Sequence, residues 1–232
     1  MDGAQHGISK TGQAVSREKT VRAKSSATIV HPIPPVWDSE SRTLLLGTMP
    51  SPASRNAGFF YMHPQNRFWR IVPAVFGEAL VYTNKGLLAT RSSSGTDSAP
   101  SSTDNAPPPN VCSPQETAAS LAAAIAERHD FLLRHHIALW DVLSQCDIHG
   151  AADATIRNAV ANDFTAIFEQ SKIRRVFCTG KSAYALWQKH CAARYESSFA
   201  LTSHCLPSTS PANATWSAER LIEAYSVLKE DS

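Results

Sequence analysis

The sequence predicts an α/β protein: a parallel sheet of four strands with helices covering both faces. Three observations carry this. Short apolar runs end at Gly or Pro, helical stripes of apolar residues stand between them, and polar loops follow where the runs stop. The clearest run is Thr43 to Leu46, closed by Gly47 and Pro50. A strand without a polar side is the mark of one covered on both faces, hence an interior strand of a parallel sheet.

Taken in order, residues 1–35 are polar, lack either periodicity and end in the Pro-rich HPIPPVW, so a disordered N-terminal arm is expected to join the domain near Trp37. The domain proper is then 36–232. Arg42 to Gly47 is the first strand. Asn66 to Phe76 is a helix with Phe68, Trp69, Val72, Val75 and Phe76 as its apolar stripe, interrupted by Pro73. Residues 91–115 are Ser, Pro, Asn and Asp with almost no large apolar side chain. They read as a disordered low-complexity insertion, tolerable because closure entropy grows only logarithmically with loop length.

Order resumes at Thr117 in a helix to about Arg134. Ile137 to Leu143 is the second strand, and 141–163 is read as its loop. Phe164 to Ser171 is a short helix, Arg175 to Cys178 the third strand, and Ser182 to Ala193 a helix. Phe199 to Leu201 is the fourth strand and Ser217 to Leu228 the last helix. Three loops, 47–66, 141–163 and 204–213, therefore converge at strand ends, with Thr179 to Ser182 beside them. In open α/β sheets that edge is where ligands bind.

Composition narrows the classes only so far. The chain has 22 basic and 20 acidic residues, so any footprint for nucleic acid must be local. Five cysteines make no CxxC pair, which points to reduced thiols and to no metal or iron–sulfur cofactor. No apolar run reaches the ~20 residues of a membrane span, so no membrane partner is expected. Thr179-Gly180-Lys181-Ser182 looks like the end of a phosphate-binding loop, but the glycine needed five residues earlier is missing.

The first loop interleaves Ser51, Ser54, Arg55, His63, Gln65, Asn66 and Arg67 with Phe59, Phe60 and Tyr61. Rings to stack on and polar groups for an edge are what a flat polar base requires. Each residue also has a structural explanation: aromatics in a core, arginines on a wet face. The last loop, HCLPSTSPANA, sets Ser208, Thr209 and Ser210 between prolines at a helix start, a place for phosphate oxygens or simply a capped helix.

Together GTMPSPASRNAGFFYMHPQNRFW and LPSTSPANA resemble the two long motifs of the uracil-DNA glycosylase superfamily, most closely its hypoxanthine-DNA glycosylase branch. WDVL at Trp140, IRNAVANDF at Ile156 and TGKSA at Thr179 follow in the family's order, so the resemblance spans about 36–230 outside the insertion. It implies a three-layer α/β/α sandwich around the four-stranded sheet. It also implies a monofunctional glycosylase that flips a deaminated base from double-stranded DNA, cuts its N-glycosidic bond with water and leaves an abasic site. Hypoxanthine is the expected base, with uracil in mismatches second. A monomer is expected.

Two departures stand out. The position where most branches carry a water-orienting Asp or Asn is Met49, and the uracil enzymes' motif histidine is Leu206. The branch attributes catalysis to the Asn of HPxN, which is Asn66 here. An amide can position water and stabilise a sugar cation through its carbonyl dipole, and an oxocarbenium-like transition state needs little more push. On the same resemblance Phe60 or Tyr61 would stack on the base. Thr48 and Met49 in the 47–51 turn, with Asp141 or Asn158, would meet its edge, and Ser51, Ser208 and Ser210 would grip flanking phosphates. The competing class is a module of the same fold that binds damaged or single-stranded DNA without cleaving it. Met49 and Leu206 are its support. An unrelated small-molecule hydrolase would make both long motifs accidents.

Overall fold

In the computed structural model of the chain, residue 3 and residues 27–84, 114–150 and 152–231 are described. The central sheet is parallel and four-stranded: β2 (Thr43–Gly47), β3 (Ile137–Asp141), β6 (Arg175–Thr179) and β7 (Thr202–Leu206), in the order β3-β2-β6-β7. Every residue of β2 is buried, as a strand with two covered faces requires. Alternation divides the core. Leu45, Ile137, Leu139 and Phe177 pack beneath α2 (Phe68–Val75), α3 (Pro114–Arg134) and α7 (Ala218–Tyr225). Leu44, Leu46, Ala138, Val176 and Cys178 face α4 (Thr165–Gln170), α5 (Lys181–Trp187) and α6 (Ala193–Phe199). The three-layer α/β/α sandwich is the result.

Several expectations need correction. The arm does not extend to residue 35. Its last part forms β1 (Ala27–Val30), antiparallel to β4 (Leu143–Ile148), and then lays Ile33 and Val36 into the core. Val36 exchanges backbone hydrogen bonds with Leu139, so this Pro-rich stretch covers the exposed edge of β3, where missing N–H groups cost least. Apart from residue 3, positions 1–26 of the arm, like positions 91–113 of the insertion, lie outside the described residues, and α3 starts at Pro114 rather than Thr117.

Residues 141–163 are not one loop. β4 turns back onto β5 (Arg157–Ala161), and with β1 they make a three-stranded antiparallel sheet past the end of β3. β4 mixes buried with half-buried positions and β5 half-buried with exposed ones, a pattern that a search for continuous apolar runs passes over. The fourth strand is misplaced for a related reason. Phe199 ends α6 and packs on Phe168 and Tyr195, Ala200 takes the left-handed conformation, and the strand is Thr202–Leu206. As an edge strand, largely exposed, it carries no apolar run.

Candidate active site

The loops after β2, β6 and β7 and the β4–β5 hairpin enclose an open cleft of about 1200 Å³ at the carboxyl edge of the sheet. That is ample for a base together with the sugar-phosphate on either side. Thr48, Met49, Ser51, Phe60, Tyr61, Asn66, Asp141, Ser208 and Ser210 all line it. Asn158 does not. It sits on β5 with its Nδ2 donating to Asp147 Oδ2 at 2.6 Å, on the exposed side of the small sheet.

The first wall is held tightly. Ser51 caps the short helix α1 (Pro52–Ala57), its Oγ accepting from Ser54 N–H at 3.2 Å, so this hydroxyl already has a structural partner. Ser54 in turn accepts from Met62 N–H, fastening the aromatic stretch. Phe60 is 1% exposed and belongs mostly to the core. Tyr61 sits at φ +55°, and one ring face is covered by Phe68, with centroids 4.0 Å apart. Thr179 Oγ1 donates to Leu46 O and therefore accepts from the Tyr61 hydroxyl at 2.7 Å. Burial, then the nearby Asp141 charge, holds this phenol well above its ordinary pKa, so it stays a proton donor.

Asn66 ties the two long loops together. Its Oδ1 accepts from Phe68 N–H and from Thr209 Oγ1, both at 2.9 Å, which fixes the amide orientation. Both carbonyl lone pairs are thereby occupied. The expected water-positioning carbonyl is thus committed to protein donors, and what Asn66 offers the cleft is Nδ2, which has no partner among the described residues.

The opposite wall depends on Arg67. Its backbone N–H and Nε both donate to Thr209 O. Its two terminal nitrogens donate to the carbonyls of Ser210 (3.3 Å), Asn213 (2.9 Å) and Trp216. A guanidinium collecting these carbonyls pulls the peptide oxygens of the loop inward. Ser208 Oγ accepts from Ser210 N–H and Ser210 Oγ from Ala212 N–H, leaving each hydroxyl hydrogen to donate elsewhere. Gly180 makes the approach feasible, since a Cβ there would lie 3.1 Å from that of Ser208.

Two residues escaped the sequence reading. His31, in the stretch taken for an arm, pairs with Asp141: Nε2 to Oδ2 is 2.9 Å, and the side chains are 3% and 5% exposed. Asp153, on a 3-10 turn after β4, lines the cleft and accepts from Thr48 Oγ1 at 2.9 Å. Burial, with the Asp141 charge adding to it, pushes its carboxyl above the ordinary range. Neither stands in a recognisable motif, so only the fold could have found them. Among the described residues no group of three potential metal ligands occurs, and no helix is long and apolar enough to cross a membrane.

No family model matches the chain. It is 24% identical over 151 residues to a hypoxanthine DNA glycosylase of Methanosarcina barkeri, covering 65% of this chain and 70% of that protein. It is 26% identical over 197 residues to a hypoxanthine DNA glycosylase of Methanosarcina acetivorans, covering 84% and 96%. A solution NMR structure from Methanosarcina acetivorans, described as a candidate uracil DNA glycosylase, superposes with a TM-score of 0.55 at 24% identity. It covers 88% of this chain and 98% of that one. The structural match shares the fold. The two curated relatives bear out the resemblance to the hypoxanthine-DNA glycosylases.

Proposed function

We propose that this chain is a monofunctional DNA glycosylase. It hydrolyses the N-glycosidic bond of a deaminated base flipped out of double-stranded DNA, hypoxanthine first and uracil in mismatches second, and leaves an abasic site. The observation that carries the reading is the cleft itself, at the strand ends, with an aromatic floor, an amide donor, carboxylates and two serine hydroxyls converging on one space. Relatives named hypoxanthine DNA glycosylase support the same class.

In this reading Phe60 and the open face of Tyr61 receive the base, and Ser208 and Ser210 donate to flanking phosphates. Thr48 and Met49 face the base edge, while Asn66 acts as donor through Nδ2 to an oxygen or nitrogen that gains charge as the base departs. Ser51 reaches phosphate only with the hydroxyl hydrogen its cap role leaves over. The enzyme acts as a monomer without a cofactor. Incision of duplexes carrying a single hypoxanthine, uracil or unmodified base, followed by alkaline cleavage of abasic sites, tests it. Cleavage confined to the deaminated bases is expected. The second reading, a lesion-binding module that does not cleave, is favoured by Met49 and Leu206 in the cleft and by the committed Asn66 carbonyl. Tight binding without base release would establish it instead.

A further inference from the structure

The cleft holds few atoms that could take a hydrogen bond from an attacking water. Met49 and Leu206 have none, and the Asn66 carbonyl is fully engaged. Asp153 receives the Thr48 hydroxyl, and its burial favours the protonated carboxyl. Asp141 is different. His31 Nδ1 accepts from Ile33 N–H at 3.2 Å, so the imidazole proton is on Nε2 and is donated to Asp141 Oδ2. The carboxylate is locked on one oxygen, and the other, Oδ1, lies over Gly47, where a Cβ would come within 2.2 Å of it. The Tyr61 hydroxyl stands 2.9 Å from that same point. Asn162 Nδ2 donates to the Asp141 backbone carbonyl and fixes the strand end beneath. Such a carboxylate is held in advance of the reaction, at the floor of the cleft.

We propose that Asp141 holds the attacking water and that His31 is its positioning residue; this rests on the glycosylase reading above. The bond from C1′ to the base nitrogen breaks with its electron pair going to the base. The water oxygen bonds to C1′, its proton passes to Asp141, and the departing base takes a proton from solvent. His31 contributes orientation through its Nε2–H bond to Oδ2, from the segment just after β1 that a truncation at residue 36 would remove.

The test is single-turnover release of hypoxanthine at saturating enzyme by the wild type, Asp141→Ala, Asp141→Asn, His31→Ala and His31→Gln, with and without added formate. Asp141→Ala and Asp141→Asn should each lose ~10²-fold or more, the scale of one general base, with affinity for the lesion duplex retained. Formate should restore part of the rate of Asp141→Ala only. His31→Ala should lose about tenfold in rate at unchanged half-saturation. His31→Gln, whose amide can donate to the same Oδ2, should recover most of it. A wild-type rate per folded molecule in both Asp141 variants overturns the proposal. So does affinity falling in step with rate without formate rescue, which would make Asp141 a base-reading or structural group. If the wild type releases no base from any lesion duplex, the glycosylase reading itself is lost before the variants are compared.

Discussion

Asn66 ties two loops together, and one pair of substitutions can separate that tie from the donor role proposed for it. Asn66→Ala removes the acceptor for Phe68 N–H and for the Thr209 hydroxyl, and Thr209 is only 1% exposed, so its hydroxyl has little water to turn to. At ~1 kcal/mol for each of the two hydrogen bonds the loss is about 2 kcal/mol. For a chain of this size that is a melting temperature lower by about 4–8 °C. Asn66→Asp keeps an oxygen for both donors and removes only the Nδ2 donor, so it should melt with the wild type. Both variants should release hypoxanthine ~10²-fold more slowly in a single turnover, the scale of one lost transition-state donor. Differential scanning calorimetry and the release assay are run on the same preparations. A wild-type rate in Asn66→Asp, or a loss in Asn66→Ala no larger than its unfolded fraction, would refute the donor role and leave Asn66 a tie between loops.

Arg67→Lys cannot reach the set of carbonyls its planar fork holds, so the 207–216 segment should open more readily by about 2–4 kcal/mol; amide exchange there would speed up and DNA binding weaken. Ser208→Ala with Ser210→Ala should weaken duplex binding about ten- to thirtyfold, at ~1 kcal/mol per hydrogen bond. Single-turnover release at saturating enzyme should fall much less, as filter binding and burst kinetics can show. The Thr165 hydroxyl, its backbone N–H and the Tyr195 hydroxyl hold Asp163 down to about 2. A carboxyl depressed by folding stabilises the fold at pH values above its unfolded pKa of ~3.9, and that contribution fades as pH falls toward 2. Asp163→Asn should therefore flatten the pH dependence of urea stability between those values, and an unchanged slope would refute the assignment.

Much of the architecture was legible because burial on both faces leaves its mark on composition. Leu44 to Leu46 and Val176 to Cys178 are apolar without interruption, and the order of strands and helices followed from such runs. The two long loops were legible too, since the density of polar and aromatic residues after a strand, and their resemblance to paired motifs, needs no third dimension. What escaped was whatever is stabilised on one side only. β4, β5 and the edge strand β7 alternate or face water, so their pairing depends on a partner far along the chain. The His31–Asp141 pair joins residues 110 positions apart through a stretch whose prolines signal irregularity. The use of each polar atom was likewise invisible. Sequence supplies Asn66, Arg67 and Ser208, but whether a carbonyl is free, a guanidinium wet or a hydroxyl available depends on which neighbours folding brings within 3 Å. Local pattern determines the elements because it acts through backbone propensity and burial. Chemistry in the cleft is decided by the tertiary fold because hydrogen bonds saturate, and each atom given to the scaffold is withdrawn from the substrate.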